Sequence, residues 1–545
     1  MVMAMRNKPA RSARLARLQV LICSFGRNRR GNVAVISALA ALPMVAATGC
    51  VVDYTNAAMI KTKLQAAADA ASLATVSVNS SAISSAKQMS GSGTVSGGST
   101  FAVNFFNANL TQAPEDTGYT NLTPTATVSL SNLTITAAVS FTAQVPTYFM
   151  GVLGYNNIAI SGTSTATYTL PAYINFYLML DVSGSMSFPS TSSEQARLMA
   201  VNPDNLGEYP NGCQFACHFT SQGACSQSNQ GPYPAVGKST NPKPGGYCQG
   251  FIISRLGTTP ASFSSGTNST NGVDVNWTNA PVSTCSTAGT TSCIQLRADA
   301  VGYAVNAVLS EASTTESSDG VSDQFQVGLF PFIQNLCTAG PNSSNSCAVG
   351  LTTSLTGATI TNFAADLANL LDTGTNSTLG SGGTHFENAL SEMNSFITSI
   401  GTGASSSNAL PYVFLVTDGS QDYQTQWNGS WSSQNWTATA NVPYQNSATV
   451  MPPNSESSSN YCTTMKKRGI TIAILYIPYG TIADPNSGFA NNEDGYANAN
   501  IANIPSSLQS CASPNFFYTA NTPTDIQNAL VTMFEQAVST AHITN

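Results

Sequence analysis

From Leu133 to Val145 apolar and polar side chains alternate. Leu133, Ile135, Ala137, Val139, Phe141, Ala143 and Val145 hold one set of positions, and Thr134, Thr136, Ala138, Ser140, Thr142 and Gln144 the other. A period of two puts each set on its own face of a strand, so residues 125–170 read as half-buried β-structure. Upstream the period changes. Ala57, Ile60, Leu64, Ala67, Ala71, Ala74 and Val78 recur at steps of three and four, which marks one face of a helix. That face is mostly alanine, which suits close packing on a sheet or helix of the same chain, or on a second copy. A Ser/Gly-rich stretch, 79–99, closes the pattern. Before the helix, VAVISALAALPMVAATGCVV (33–52) carries no charge. Twenty such residues span a hydrocarbon core of about 30 Å as a helix, and a membrane helix tolerates a proline such as Pro43.

From residue 173 the pattern turns to apolar runs alternating with amphipathic segments. Strands are expected at 173–180, 324–332, 411–417 and 470–477, and helices at 294–312, 385–398 and 524–538. Thr522-Pro523 supplies a cap and a first-turn proline for the last helix. This order predicts an α/β fold whose mostly parallel, doubly wound sheet is covered on both faces. Polar insertions rich in Gly, Ser, Asn and Pro interrupt it at about 187–291, 421–460 and 479–508, and read as loops or small lobes. The chain thus divides into a basic segment (1–30), a transmembrane helix (31–53), a helix-plus-antiparallel-sheet module (54–172) and an α/β domain (173–540).

Charge adds an orientation. Only 8% of residues are charged, against roughly 25% in an average soluble protein. Residues 1–30 hold eight basic side chains and no acid, leaving 11 basic against 26 acidic in the rest, a net −15. The main body therefore lacks the basic face that nucleic-acid binding requires. With the basic residues on one flank of the span and Asp53 on the other, the positive-inside rule places the N-terminus in the cytoplasm and the bulk outside. A cleaved signal peptide would have a shorter apolar core followed closely by a small-residue site; here the run continues into the amphipathic helix. Ten of the 12 cysteines fall on the outer side, which reads as disulfides in an exported body. Cys213 and Cys217-His218 have ligand-like spacing but no second Cys/His pair beside them.

The candidate chemistry lies at strand ends. Asp181, Ser183 and Ser185 follow the strand 173–180, Asp418 follows 411–417, and Gly382-Gly383-Thr384 precedes a helix. Ligands of open α/β sheets bind beyond the carboxyl ends of the strands. Two carboxylates and three hydroxyls make an all-oxygen set suited to a hard divalent cation, Mg²⁺ or else Mn²⁺ or Ca²⁺. The competing reading is a hydrogen-bond network without metal. A catalytic serine is disfavoured, because Ser183 lacks the G-x-S-x-G turn and no base–nucleophile pair is evident, so the chain reads as a binding protein and not an enzyme. Trp427, Trp431 and Trp436 suit either a recognition rim or the core of their own insertion. Asp484, Glu493 and Asp494 lack EF-hand spacing.

DVSGS, GGT and LVTDG, in this order, resemble the metal-ion-dependent adhesion site of a von Willebrand factor A domain. The resemblance implies direct metal contacts from Ser183, Ser185 and Thr384, with Asp181 and Asp418 acting through waters or hydroxyls. It also implies an open coordination position for an acidic partner residue. In that family the first helix follows the motif closely; here about a hundred residues come before CIQLRADAVGYAVNAVL. RRGNVAVISALAALPMVAATGCVVDY, KTKLQAAADAASLA and PTYFMGVLGYNNIAISGTSTA resemble the TadE/TadG-like proteins of Flp (Tad) pilus assembly, as does the closing pattern around Cys462 and Cys511. Pilin-like members carry a Glu five residues past the processing glycine; Ile36 stands there in this chain. The resemblance implies a single-pass protein of the bacterial inner membrane whose role is assembly, anchoring or presentation of a pilus through a metal-dependent protein contact; the alternative is a surface adhesin for host or substratum ligands. Cys462 is expected to pair with Cys511 across the strand 470–477, and Cys285 with Cys293 and Cys337 with Cys347 locally. That leaves Cys213, Cys217, Cys225 and Cys248 within the first insertion.

Overall fold

A computed structural model describes residues 31–89, 91–110, 118–202, 214–216, 249–257, 263–265, 273–275, 282–341, 343, 346–371, 378–380, 384–420, 424–427, 430–433, 461–482, 498 and 501–543. The chain forms two compact units, Met1–Leu170 and Pro171–Asn545.

In the first unit a single 45-residue helix, α1 (Gly31–Thr75), joins the uncharged run to the alanine face, with Pro43 inside it. Its first part exposes Val35, Ile36, Leu39, Met44, Val45, Val51 and Val52. Its second part buries Ala57, Leu64, Ala67, Ala68 and Ala71. The helix stops short of Val78, which is exposed. Thr75 and Ser80 hydroxyls take local carbonyls there, the competition with helical bonds that Ser and Thr favour. Ser80 then caps α2 (Ser81–Lys87) by accepting from the Ile83 N–H. After β1 (Gly93–Thr94) and α3 (Gly98–Leu110) come three long strands, β2 (Thr120–Ser131), β3 (Thr134–Pro146) and β4 (Asn157–Thr169). They form an antiparallel sheet in the order β1-β2-β3-β4. On β3 the alternation is realised: Ile135, Ala137, Val139, Phe141, Ala143 and Val145 are buried. Gln65 donates to the Thr163 carbonyl and Ser72 bonds Ser164, tying α1 to β4. Gly162 permits the approach, since a methyl group there would meet Gln65 and Phe141.

The second unit contains the six-stranded sheet that positions the site. In chain order its strands are β5 (Ile174–Asp181), β8 (Phe325–Phe332), β9 (Val349–Thr352), β10 (Leu410–Thr417), β13 (Thr471–Tyr476) and β14 (Phe517–Thr519). The spatial order is β14-β13-β10-β5-β8-β9, parallel throughout except for the antiparallel edge strand β9. The chain winds outward from β5 in one direction and then from β10 in the other, so the topological switch point lies between β5 and β10. Two two-stranded ribbons, β6 (Phe263–Ser265) with β7 (Val273–Val275) and β11 (Gln424–Trp427) with β12 (Ser430–Ser433), belong to the insertions.

Helices cover both sheet faces, which explains the unbroken apolar strands. Phe176 on β5 packs at a tilt against Phe534 of α11 (Pro523–Ile543), which also meets Phe325. Tyr177, pointing the other way, meets Phe396 of α8 (Phe386–Phe396), as does Phe330. The remaining helices are α4 (Ser192–Val201), α5 (Gln249–Leu256), α6 (Arg297–Asp319), α7 (Ala358–Ala365), α9 (Tyr461–Lys467) and α10 (Ile504–Cys511). The first insertion, read as a loop or small lobe, contains α4 and α5 and packs into the domain: Arg255 of α5 is fully buried against Asp299 of α6. Disulfides join Cys285–Cys293, Cys337–Cys347 and Cys462–Cys511. Cys213, Cys217, Cys225 and Cys248 lie outside the described residues.

Candidate functional site

Asp181 is the last residue of β5 and Asp418 the first after β10, so the parallel pairing of these strands brings the two carboxylates to one end of the sheet. Beyond Asp181 the backbone stays extended at Ser183 and then enters a 3-10 turn, Gly184–Ser187. That turn folds Ser185 back, placing its Oγ 3.2 Å from Ser183 Oγ. Thr384, two residues before α8, donates to Ser183 Oγ at 2.9 Å. The three hydroxyls expected to act together therefore stand together. Gly382 and Gly383 lie outside the described residues, as do Trp436, Asp484, Glu493, Asp494 and the side chains of Trp427 and Trp431.

Each carboxylate is held by specific donors. Asp181 accepts from the Ser183 N–H on Oδ1 (2.9 Å) and from Thr417 Oγ1 on Oδ2 (2.5 Å). Thr417 in turn accepts from the Gly419 N–H. Asp418 accepts from the Ser420 N–H at 3.3 Å and interacts with the Ser185 hydroxyl. Its Oδ2 has no hydrogen-bond donor, although Arg297 Nη1 lies 3.5 Å away. Arg297 opens α6, donates through Nη2 to the Pro478 carbonyl, and stacks over Phe188 at 5.1 Å.

All five predicted residues are buried, from 0% exposure at Asp418 to 6% at Ser185. Burial first, and then the Asp418 charge, push the Asp181 carboxyl up to about 7, against the pull of its hydrogen bonds. Burial also raises Asp418, opposed by the Arg297 guanidinium. The pair is short of positive charge, and one buried carboxylate oxygen lacks a donor. A divalent ion would supply what is missing, and the all-oxygen donor set fits a hard cation. Among the described residues no group of three or more His, Cys, Asp or Glu side chains could hold a metal ion. The candidate set is two carboxylates supplemented by hydroxyls.

Sequence reasoning left out two residues here. Thr417 sits in the quoted LVTDG, and its signal was the hydroxyl next to Asp418. Arg297 had none, because its position depends on how the first insertion closes. The insertion leaves and returns at one place: Ser190 N–H donates to the Gln295 carbonyl, Arg297 N–H donates to the Phe188 carbonyl, and Pro189 bridges Leu296. The two ends of the insertion thus meet, and α6 starts beside the motif although about a hundred residues separate them in the chain.

Residues 31–78 match a family model described as putative Flp pilus-assembly TadE/G-like. No curated protein matches the chain. Among solved structures, the pilus adhesin SpaC from Lactobacillus rhamnosus GG in its open conformation is 12% identical, with a TM-score of 0.29, covering 77% of this chain and 34% of its own. This chain thus spans about a third of that adhesin. The PilB minor pilin from Streptococcus sanguinis is 10% identical with a TM-score of 0.31, covering 74% of this chain and 75% of its own. The vWF domain of the type V pili tip protein Mfa5 from Porphyromonas gingivalis is 14% identical with a TM-score of 0.26, covering 45% and 88%. Likenesses at these TM-scores do not by themselves assign a function.

Proposed function

We propose that this chain is a membrane-anchored, extracytoplasmic component of Flp/Tad-type pilus assembly or anchoring, and that it binds a protein partner through a divalent cation. One observation carries the reading: a pilus-assembly family segment at 31–78 is continuous with a doubly wound domain whose switch point gathers Asp181, Ser183, Ser185, Thr384 and Asp418. Ser183, Ser185 and Thr384 would hold the ion through neutral oxygens, with Asp181 and Asp418 behind them. Neutral ligands leave a bound cation electrophilic, able to take an acidic side chain of a partner. The role is binding and not catalysis, since Ser183 Oγ is engaged by other hydroxyls.

Deletion of the gene separates the two roles considered. Loss of pili supports assembly or anchoring. Intact pili with lost attachment instead assigns the chain to adhesion. Capture of pilus components by the tagged protein should fall with chelator and return with added Mg²⁺; capture indifferent to chelator would remove the cation from the mechanism.

A further inference from the structure

Between β3 and β4 runs a loop, Thr147–Asn156, without a single charge. It is apolar and outward-facing: Tyr148 is 75% exposed, Phe149 45%, Val152 87%, Leu153 55% and Tyr155 64%. Such a cluster is unusual on a surface meeting water. Its backbone, by contrast, is well satisfied. Tyr148, Phe149 and Met150 donate their N–H groups to the Asp53 carboxylate at 3.0, 2.9 and 2.7 Å. Thr147 N–H donates to Asn156, Gly154 N–H to Gly151 and Tyr155 N–H to Met150. A segment that pairs its own polar backbone while turning its apolar side chains out is built for a medium poor in hydrogen bonds.

The location identifies that medium. Asp53 is the first charged residue after Arg30, so it marks where the uncharged part of α1 ends. Phe149 packs past that mark, against Gly49: a methyl group at Gly49 would sit 2.5 Å from Phe149. Four residues of helix place this contact about 6 Å inside the uncharged stretch. Val51, Val52 and Tyr54 are exposed at the same level of α1. Aromatic and aliphatic side chains at such a boundary are those that settle at the headgroup level of a bilayer.

We infer that the Tyr148–Tyr155 loop is a second membrane contact, clipped to α1 by Asp53 and inserted in the outer lipid interface beside the transmembrane span. The inference rests on the reading that residues 33–52 cross the bilayer. The same loop would fix the azimuth and tilt of α1, because one side of the helix alone carries the wedge.

The test uses the full-length protein in phosphatidylcholine vesicles with brominated acyl chains, which quench tryptophan on contact. Val152→Trp reads the loop, Val45→Trp reads the span, and Leu73→Trp reads helix outside the membrane; emission of the native protein is subtracted. The added emission at 45 and 152 should be blue-shifted and mostly lost in brominated lipid, while that at 73 is unchanged. Quenching at 45 but not at 152 overturns the loop contact and leaves the span intact. Quenching at neither overturns both readings. Emission at 152 that is shielded from aqueous iodide yet unaffected by brominated lipid assigns the loop to a protein partner and also overturns the inference. Tyr155→Trp, a conservative aromatic exchange, repeats the measurement should Val152→Trp fail to fold.

Discussion

Asp181 holds a carboxyl nearly out of water, with the Asp418 carboxyl nearby and, among the described residues, Arg297 beside Asp418 to offset it. Its folded pKa of about 7 lies above the ordinary 3.8. A raised carboxyl stabilises the fold below its unfolded pKa, and that contribution is lost as pH rises through the folded value. Cation-free protein should therefore lose stability between about pH 4 and pH 7, by on the order of 4 kcal/mol. Saturating Mg²⁺ at 100 times its Kd should return about 2.7 kcal/mol at neutral pH. Thermal melts of the full-length protein across pH, with chelator and with Mg²⁺, check both; a flat profile under chelator would show that the carboxylates are compensated without a cation. Asp181→Asn should split the two effects. It should raise cation-free stability at pH 8, by removing one of two like charges, and abolish the gain from Mg²⁺. Ser185→Ala should weaken the cation less, because it removes a neutral oxygen. The candidate residues were legible because each stands beside a strong strand or helix signal. Their depth was not, since burial here depends on chain segments remote in sequence.

Among the secondary elements, α5 and α6 illustrate what periodicity leaves unread. Arg255 and Asp299 form a two-point ion pair at 2.9 and 3.0 Å, both side chains fully buried, and Asp299 also accepts from the Leu296 N–H at the start of α6. Arg255→Leu should cost about 3–5 kcal/mol, since it strands a buried charge, whereas Arg255→Met combined with Asp299→Leu should recover most of that loss. Urea denaturation of the two variants gives the comparison. The pair was illegible because 43 residues, some outside ordinary periodicity, separate its partners. Short elements escaped for a different reason. The edge strand Val349–Thr352 and the helices Ala358–Ala365, Tyr461–Lys467 and Ile504–Cys511 are no longer than eight residues, too few for a period to register. The long strands and α8 were predicted close to their observed limits, whereas α6 runs seven residues and α11 five residues past their expected ends, to Asp319 and Ile543. The Cys462–Cys511 bond links α9 and α10, which flank β13, across 49 positions. Replacing both cysteines by serine should cost about 4 kcal/mol, against roughly 2.5–3 kcal/mol for the Cys337–Cys347 loop of 10, as chain entropy scales with loop length. Equal losses would point to native-state contacts and not loop closure as the source.

For the whole chain, charge and cysteine placement make one joint demand on topology. Eight basic side chains precede the uncharged stretch, and the remaining 515 residues carry a net −15. Retaining the basic segment in the cytoplasm satisfies the positive-inside rule, which counts Lys and Arg close to the span, and the reverse orientation opposes it. The disulfides Cys285–Cys293, Cys337–Cys347 and Cys462–Cys511 are the kind that form and persist in an oxidising compartment, as outside the cytoplasm. The two arguments are independent, one acting at insertion and the other after folding. Alkaline phosphatase fused after residue 545 should therefore be active and a fluorescent protein fused there by the general export route dark, with the pattern reversed for fusions at residue 30. Replacing the eight basic residues of 1–30 with glutamine should weaken that bias and lower phosphatase activity, without altering disulfide formation in the molecules that still insert correctly. A C-terminal fusion active only in the cytoplasm would leave both the cation-dependent contact and the outer-leaflet loop on the wrong side of the membrane.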